Sequence, residues 1–296
     1  MAESKIISRS VGTHDGSFHA DEVTACALLV LFDLVDREHI VRTRDPQLLA
    51  SCDYVCDVGG FYDPKKHLFD HHQAEYQGLM SSAGMVLEYL NETGIIANDL
   101  YKHFNNVLIS GVDDHDNGRD PQIPGVCTYS NIITNFNTIH NDAPPLEQNE
   151  AFFNALDFAL GHLKRLYDRY SYIKECRNLV AESMHQNGDF LIFDKSIPWI
   201  EAFFDLGGLN HKAKFVIMPA GEHWKLRGIP PTYQRKMEVR IPLPKEWAGL
   251  LEGDLKRVSK IEGAVFCHKG RFISVWETRE AAFEAMEYTL KNAKDS

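Results

Sequence analysis

Histidine and aspartate recur together at three places in the first part of the chain, and a lone aspartate stands at a fourth. "GTHDGSFHADE" supplies His14, Asp15, His19, Asp21 and Glu22, and "CDVGG" supplies Asp57. "LFDHHQ" supplies Asp70, His71 and His72, and "GVDDHDNG" supplies Asp113, Asp114, His115 and Asp116. Carboxylates and imidazoles packed together without cations repel one another, and the carboxyl pKa values climb. Divalent metals remove that conflict. A mixed nitrogen and oxygen donor set suits Mn²⁺, Fe²⁺, Co²⁺ or Zn²⁺, whereas an all-oxygen set suits Mg²⁺ better. More candidate ligands than one ion uses point to two ions sharing a carboxylate. Such a pair clamps the attacking and leaving oxygens of a phosphate ester.

The elements that would carry these residues alternate. Residues 5–12, 39–44, 53–58 and 67–72 read as strands, and 21–35 and 82–94 as helices, the latter capped by Ser81 or Ser82 and stopped at Gly94. Residues 99–112 read as a helical or helix–strand segment whose apolar run ends just before Asp113. Strands alternating with helices predict an α/β domain with a mainly parallel sheet flanked by helices. Such sheets place their sites beyond the carboxyl ends of the strands. Residues 122–150, rich in Pro, Asn and Thr, read as a loop or boundary, and 151–187 as one or two long helices. From about 189 come short strands, "FLIFD", "KFVIMP", "HWKLRGI", "MEVRIPL" and "GAVFCH", with helices at 244–253 and 278–292. The expected organisation is a metal-binding catalytic domain over 1–145, a helical connector over 146–188 and a smaller α+β domain over 189–296. The long helical stretch is where a homo-oligomer would form.

The charge balance narrows the partners. Residues 1–140 hold 9 basic and 20 acidic side chains, so the whole net charge of −11 falls there. Residues 214–296 are mildly basic, with 15 Lys and Arg against 11 Asp and Glu. Coating of long nucleic acid needs a basic face, so it is disfavoured, whereas a strand end or a small phosphorylated substrate is not. Six cysteines without a CxxC pair suit a reducing compartment. No apolar run approaches the roughly 18 residues of a membrane span. "MAESKIISRS" does not read as a signal peptide, so a soluble, cytoplasmic protein is expected.

In order along the chain, "THDGSFHADE", "RTRD", "DVGGFYDP", "FDHHQ", "SSAG" and "DNG" resemble the melanocyte-proliferating-gene family. That family, also called metal-dependent protein hydrolases, is a branch of the DHH phosphoesterases, relatives of RecJ-type exonucleases and family II pyrophosphatases. The resemblance continues through "FVIMPAGEHWKLRGIP", "RIPLPKEWAGL" and "GAVFCHKGRFI". It implies His14, His19 and Asp21 as metal ligands, with His19 standing where DHH relatives carry Asp. It further implies Asp57 as the carboxylate bridging two ions and His71 as a ligand of the second ion. His72 would face the substrate phosphate, oriented by Asp70. Asp113 fits the fourth motif, with Asp116 and Asn117 behind it or as alternative ligands. Asp15 and Glu22 are as well explained by capping or surface roles, and Asp45 and Asp63 by turns.

The resemblance implies two divalent ions, Mn²⁺ foremost and Co²⁺, Fe²⁺, Zn²⁺ or Mg²⁺ as alternatives. The implied activity is 3′→5′ exonuclease action on RNA ends or short oligonucleotides, by a metal-activated hydroxide attacking a phosphodiester. A hydrolase of a small phosphate compound (a cyclic dinucleotide, nanoRNA or bisphosphate) is the alternative enzyme, and a metal-containing binding protein without turnover the alternative class. Arg44, His268, Lys269 and Arg271 are candidates for the substrate phosphate, although salt bridges explain Arg42 and Arg44 equally well. Trp224, Trp247 and Trp276 could stack a base, with core packing the competing role. Relatives commonly read "GFIGGNKTREGAL" near the end, where this chain has Ser274, Val275 and Trp276. A glycine pair lets backbone N–H groups approach a phosphate, so this departure bears on the substrate side rather than on the metals.

Overall fold

The computed structural model describes residues 7–140 and 142–292. It is a mixed α/β structure that divides into two compact units, Met1–Tyr170 and Ser171–Ser296. In chain order the first unit carries β1 (Ile7–Thr13), α1 (Ala20–Leu31), β2 (Ile40–Arg42), α2 (Pro46–Leu49), β3 (Cys52–Cys56), β4 (Tyr62–Asp63) and β5 (Leu68–Phe69). These are followed by α3 (Ser82–Glu92), α4 (Asn98–Phe104), α5 (Ser110–Asp116) and α6 (Tyr129–Thr134). The strands form one sheet in the order β2-β1-β3-β5-β4. Pairing is parallel from β2 through β5, and β4 closes the edge antiparallel.

Register explains how the strand ends meet. Gly12 pairs with Val55, and Cys56 with Phe69. Counting onward along parallel strands, His14, Asp57 and Asp70 follow in one row at the carboxyl edge. Over this edge packs α1, whose residues Ala20 through Leu29 are all buried. Its Ala25, Cys26 and Ala27 are small enough for a helix covered on both sides, and α3 lies in the same core through Met85, Val86 and Leu90.

The run before Asp113, left open as helical or helix–strand, is helical throughout: α4, a π-helical turn over Asn105–Ile109 and α5 follow one another directly. Asp63 ends the short edge strand β4 and stands at the start of a 3₁₀ turn over Pro64–Lys66. The 122–150 segment contains a helix, α6, capped by Thr128, whose hydroxyl accepts the Asn131 N–H. Of the strand read over 5–12, the first two residues lie outside the described residues.

A single helix, α7 (Pro145–Asn187), covers the long helical stretch, and the division between units falls within it. Phe152, Leu156, Ala159 and Leu163 join the first unit's core, whereas Cys176 and Val180 join a core of the second. The second unit continues with β6 (Phe190–Ile192), α8 (Ile200–Asp205), β7 (Phe215–Ala220), β8 (His223–Gly228), α9 (Glu252–Ser259), β9 (Ala264–Cys267), β10 (Ile273–Trp276) and α10 (Arg279–Asn292). Its sheet runs β6-β7-β8-β10-β9 and is antiparallel except for β6 beside β7.

Here too the sequence misleads in places. "MEVRIPL" forms no strand, because Pro242 and Pro244 remove ladder donors and restrict their neighbours. The helix expected at 244–253 is a 3₁₀ turn over Lys245–Trp247, and the α-helix begins only at Glu252. Over the positions where the resemblance leads one to expect glycines, β10 is an interior strand with Ser274 and Trp276 fully buried. The Trp276 indole donates to Ser274 Oγ at 2.9 Å and packs 5.6 Å from the Trp247 ring. Trp247 and Trp276 are therefore core residues, not base-stacking platforms, and Trp224 lies partly buried with the Arg279 guanidinium 5.6 Å away. All six cysteines are free. No helix among the described residues is long and apolar enough to cross a membrane.

Because Trp276 fills the centre of this core, Trp276→Ala should cost about 3–5 kcal/mol of stability. Urea unfolding checks this through the midpoint of the second unit's transition.

Candidate metal centre

Asp57 stands just past β3, with its backbone in the left-handed region (φ 58°). For a residue other than glycine that conformation costs of order 1 kcal/mol. It turns the carboxylate out of the strand's pleat and into the row beyond the sheet. Its two oxygens face different partners. Oδ2 lies 3.3 Å from His14 Nε2, which is also 2.9 Å from Glu22 Oε1. Oδ1 lies 3.3 Å from His71 Nε2, which is also 3.2 Å from Asp116 Oδ2 and 3.9 Å from Asp21 Oδ2.

Three overlapping sets of potential ligand atoms result. His14, His19, Glu22 and Asp57 form one, Asp57, His71 and His72 a second, and His19, Asp21 and Asp116 a third. Within each set the atoms lie within 4.8 Å of one another. Asp57 and His19 each belong to two sets, so the sets form one continuous nest.

Burial makes this nest electrostatically costly. Asp21 and Glu22 are wholly buried, and His14, Asp57 and Asp70 nearly so. Burial pushes the Asp21 carboxyl well above its usual range, and the charges of Asp57, Glu22 and Asp116 push the same way. Burial works against a charged His14, yet hydrogen bonds to Asp57 and Glu22 prevail and hold its imidazole up to about 10. Burial likewise opposes ionisation of Asp57, but His14 and His71 outweigh it and keep this carboxyl below its ordinary value. Both Asp21 oxygens are buried without a hydrogen-bond partner. Leaving such atoms unpaired costs on the order of 1–3 kcal/mol each, more when charged. They point into a nest of nitrogen and oxygen donors, and a divalent cation there would satisfy them. The residues fit a metal centre.

Beside the nest is a cleft of about 380 Å³ lined by His14, Ser17, His19, Arg44, Asp57, Val58, Gly59, Asp70 and His72. Asp70 orders one side of it. Its Oδ2 accepts from Gly60 N–H, and its Oδ1 accepts from His72 N–H at 3.1 Å and pairs with His72 Nδ1 at 2.8 Å. The His72 ring is thereby oriented while its side chain remains 64% exposed. Arg44, itself exposed, pairs with Asp15 at 3.3 Å.

Comparison with known proteins shows the family. The MYG1_exonuc family model, described as an uncharacterised protein family (UPF0160), matches residues 10–290. The chain belongs to the MYG1 family. It is 52% identical to the "MYG1 protein" of Chlamydia trachomatis over 97% of this chain and 99% of that one. It is 32% identical to the human "MYG1 exonuclease" over 95% of this chain and 85% of that one. A solved RecJ from Thermus thermophilus, in complex with Mn²⁺, aligns over 97% of this chain at 12% identity. Its TM-score is 0.31, and the alignment spans about half of the RecJ chain (52%).

Not every expected residue of this MYG1-family chain comes to the nest. Asp113, expected as the fourth ligand, turns to the start of α3 instead. Its Oδ1 accepts from Ser81 N–H at 2.9 Å, Ser81 Oγ–H at 2.7 Å and Gly84 N–H at 3.2 Å. A carboxylate at a helix N-terminus satisfies otherwise orphaned donors and complements the helix dipole. Asp116, three residues on, is the member of α5 that joins the nest. Asn117 donates to the Asp113 and Leu79 carbonyls, so it ties the end of α5 to a loop. His268, Lys269 and Arg271 belong to the β9–β10 turn of the second unit. There Gly270 N–H donates to His268 Nδ1, and Arg271 Nη1 donates to Leu243 O at 3.4 Å. Glu22 was not singled out as a ligand. Both its oxygens accept His19 N–H at 2.9 Å, so capping and nest membership belong to one side chain. The signal was its place one residue after Asp21, on the first turn of α1.

Asp113→Ala should therefore lower stability by on the order of 3 kcal/mol, read by urea unfolding, and leave Mn²⁺ affinity at the wild-type value. Asp116→Ala should do the reverse, as isothermal titration with Mn²⁺ would show.

Proposed function

We propose that this chain is a phosphodiester hydrolase that uses two divalent ions and removes nucleotides from the 3′ end of RNA or short oligonucleotides. The observation that carries this reading is Asp57, whose two oxygens face His14 and His71 in separate donor sets. A carboxylate so placed can hold two cations side by side. His14, His19, Glu22, Asp57, Asp21, His71 and Asp116 would hold them, and the nitrogen and oxygen mixture suits Mn²⁺ first. When bound, such ions supply Lewis acidity at a phosphoryl oxygen and lower the pKa of a coordinated water.

The rest is the work of the chain's own side chains. Asp70 fixes His72 at the cleft, where the imidazole can donate to a phosphate oxygen as charge develops on it. Arg44 offers a guanidinium at the same cleft. A cleft of about 380 Å³ lies within the range of small-ligand sites, which suits one nucleotide at a strand end. The acidic excess in residues 1–140 disfavours prolonged contact with a long polyanion. The name of the human relative, an exonuclease, supports the same reading.

Protein loaded with Mn²⁺ should shorten 5′-labelled RNA stepwise and cleave bis-p-nitrophenyl phosphate. Asp57→Asn keeps a residue tolerant of the left-handed backbone, and both it and His71→Ala should lose at least about 10²-fold in activity. His72→Gln should lower kcat by about 10²-fold or more. Activity on cyclic dinucleotides alone would replace the RNA reading with that of a small phosphate hydrolase. Equal activity of wild type and His71→Ala, or none on any substrate, overturns the hydrolase reading.

A further inference from the structure

The loop between β1 and α1, residues 14–19, carries two candidate ligands, His14 and His19. Two side chains from elsewhere in the first unit grip its backbone. Arg42, the last residue of β2, donates from Nη2 to Gly16 O at 2.5 Å. From Nη1 the same guanidinium donates to Gln148 O and Asn149 Oδ1, both at 3.1 Å, near the start of α7. It lies 4.6 Å from the Phe152 ring and 5.7 Å from the Phe18 ring. Asn137, just after α6, holds the other side of the loop. Its Oδ1 accepts from Phe18 N–H at 2.9 Å, and its Nδ2 donates to Phe18 O at 2.8 Å. Phe18 is buried and packs edge-on to Phe152 at 5.5 Å.

These bonds to the loop end on its backbone and not on a ligand side chain. The loop backbone in turn aims the ligands: His14 Nδ1 pairs with Asp15 O at 3.0 Å, which leaves Nε2 facing Glu22 and Asp57. Arginine suits this task because its planar fork reaches carbonyls on two separate segments, whereas a lysine ammonium is a single point. The Phe18 and Phe152 rings flank the half-buried guanidinium and shield part of it from water.

We propose that Arg42 and Asn137 are positioning residues that fix the 14–19 backbone and thereby aim His14 and His19 into the metal nest. The inference rests on the ion-holding reading given above, but fixation of the loop is measurable without any ion.

Two measurements on the full chain test it, hydrogen exchange of the ion-free protein and calorimetric titration with Mn²⁺. Arg42→Lys and Asn137→Ala should speed exchange at Phe18 and its neighbours, with protection in β3 and α3 unchanged. Of two Mn²⁺-binding steps, one should weaken by about 10–100-fold, the range seen when support behind a ligand is removed. His71→Ala should weaken the other step, which identifies the two. Asn137→Asp keeps the acceptor for Phe18 N–H and should recover most of that amide's protection. Wild-type exchange and both binding steps unchanged in Arg42→Lys and Asn137→Ala would overturn the proposal. So would a uniform loss of protection with both steps weakened alike, the signature of a merely structural role. A wild-type protein that binds no divalent ion overturns the ion-holding reading, and with it the assigned purpose of the loop, whatever the exchange shows.

Discussion

Four carboxylates, three of them buried, and four imidazoles, two of them exposed, with ligand atoms within 4.8 Å of one another in each set, form an unstable neighbourhood unless their charges are balanced. Asp57 stands at the middle of that balance. Its two oxygens are divided between His14 and His71, so it lowers the cost of one histidine cation on each side. It does not reach Asp21, whose oxygens stay unpartnered and whose carboxyl is driven upward by burial and by its acidic neighbours. The nest is thus nearly balanced on one side and short of positive charge on the other. That asymmetry is what a bound cation would relieve and an internal ion-pair network does not.

The backbone provides the first half of this arrangement and the helices the second. Parallel pairing sets His14, Asp57 and Asp70 in one row, and the left-handed turn at Asp57 lifts its carboxylate beyond the sheet. The first turn of α1 adds Asp21 and Glu22 from above, and α5 adds Asp116. The direct succession of α4, a π-helical turn and α5 matters here. A π turn holds one more residue than an α turn, so it rotates everything after it by roughly 100° about the helix axis. That rotation carries Asp113 to α3 and Asp116 to His71 together.

Much of this was legible in the sequence, for a physical reason. A buried parallel strand that ends in Asp or His advertises both its length and its polar end, so β1, β3 and β5 and the residues after them could be read directly. The sequence could not separate Asp113 from Asp116. Both follow an apolar run, and the choice depends on helical phase set by a π turn that no local pattern announces. Glu22 was ambiguous because an acidic residue in a first turn is an ordinary cap. In the second unit the misreadings cluster where proline interrupts apolar runs, at Pro242 and Pro244.

The short motifs sort into two kinds once their contacts are known. "THDGSFHADE", "DVGG" and "FDHH" deliver side chains to the nest itself. "SSAG" and the aspartate four residues before "NG" form one interaction, in which Ser81 and Gly84 N–H groups receive Asp113. A Cβ at Gly84 would lie 2.3 Å from Asp113 Oδ2, so only glycine lets α5 come this close to α3. "RTRD" is of the same kind: Arg42 grips the 14–19 loop, and Asp45 caps α2 by accepting Gln47 N–H at 2.9 Å. Motif residues that never touch an ion can therefore be as constrained in type as those that do. Their constraint is steric and directional: Gly84 leaves room for Asp113, and the Arg42 fork reaches two segments at once.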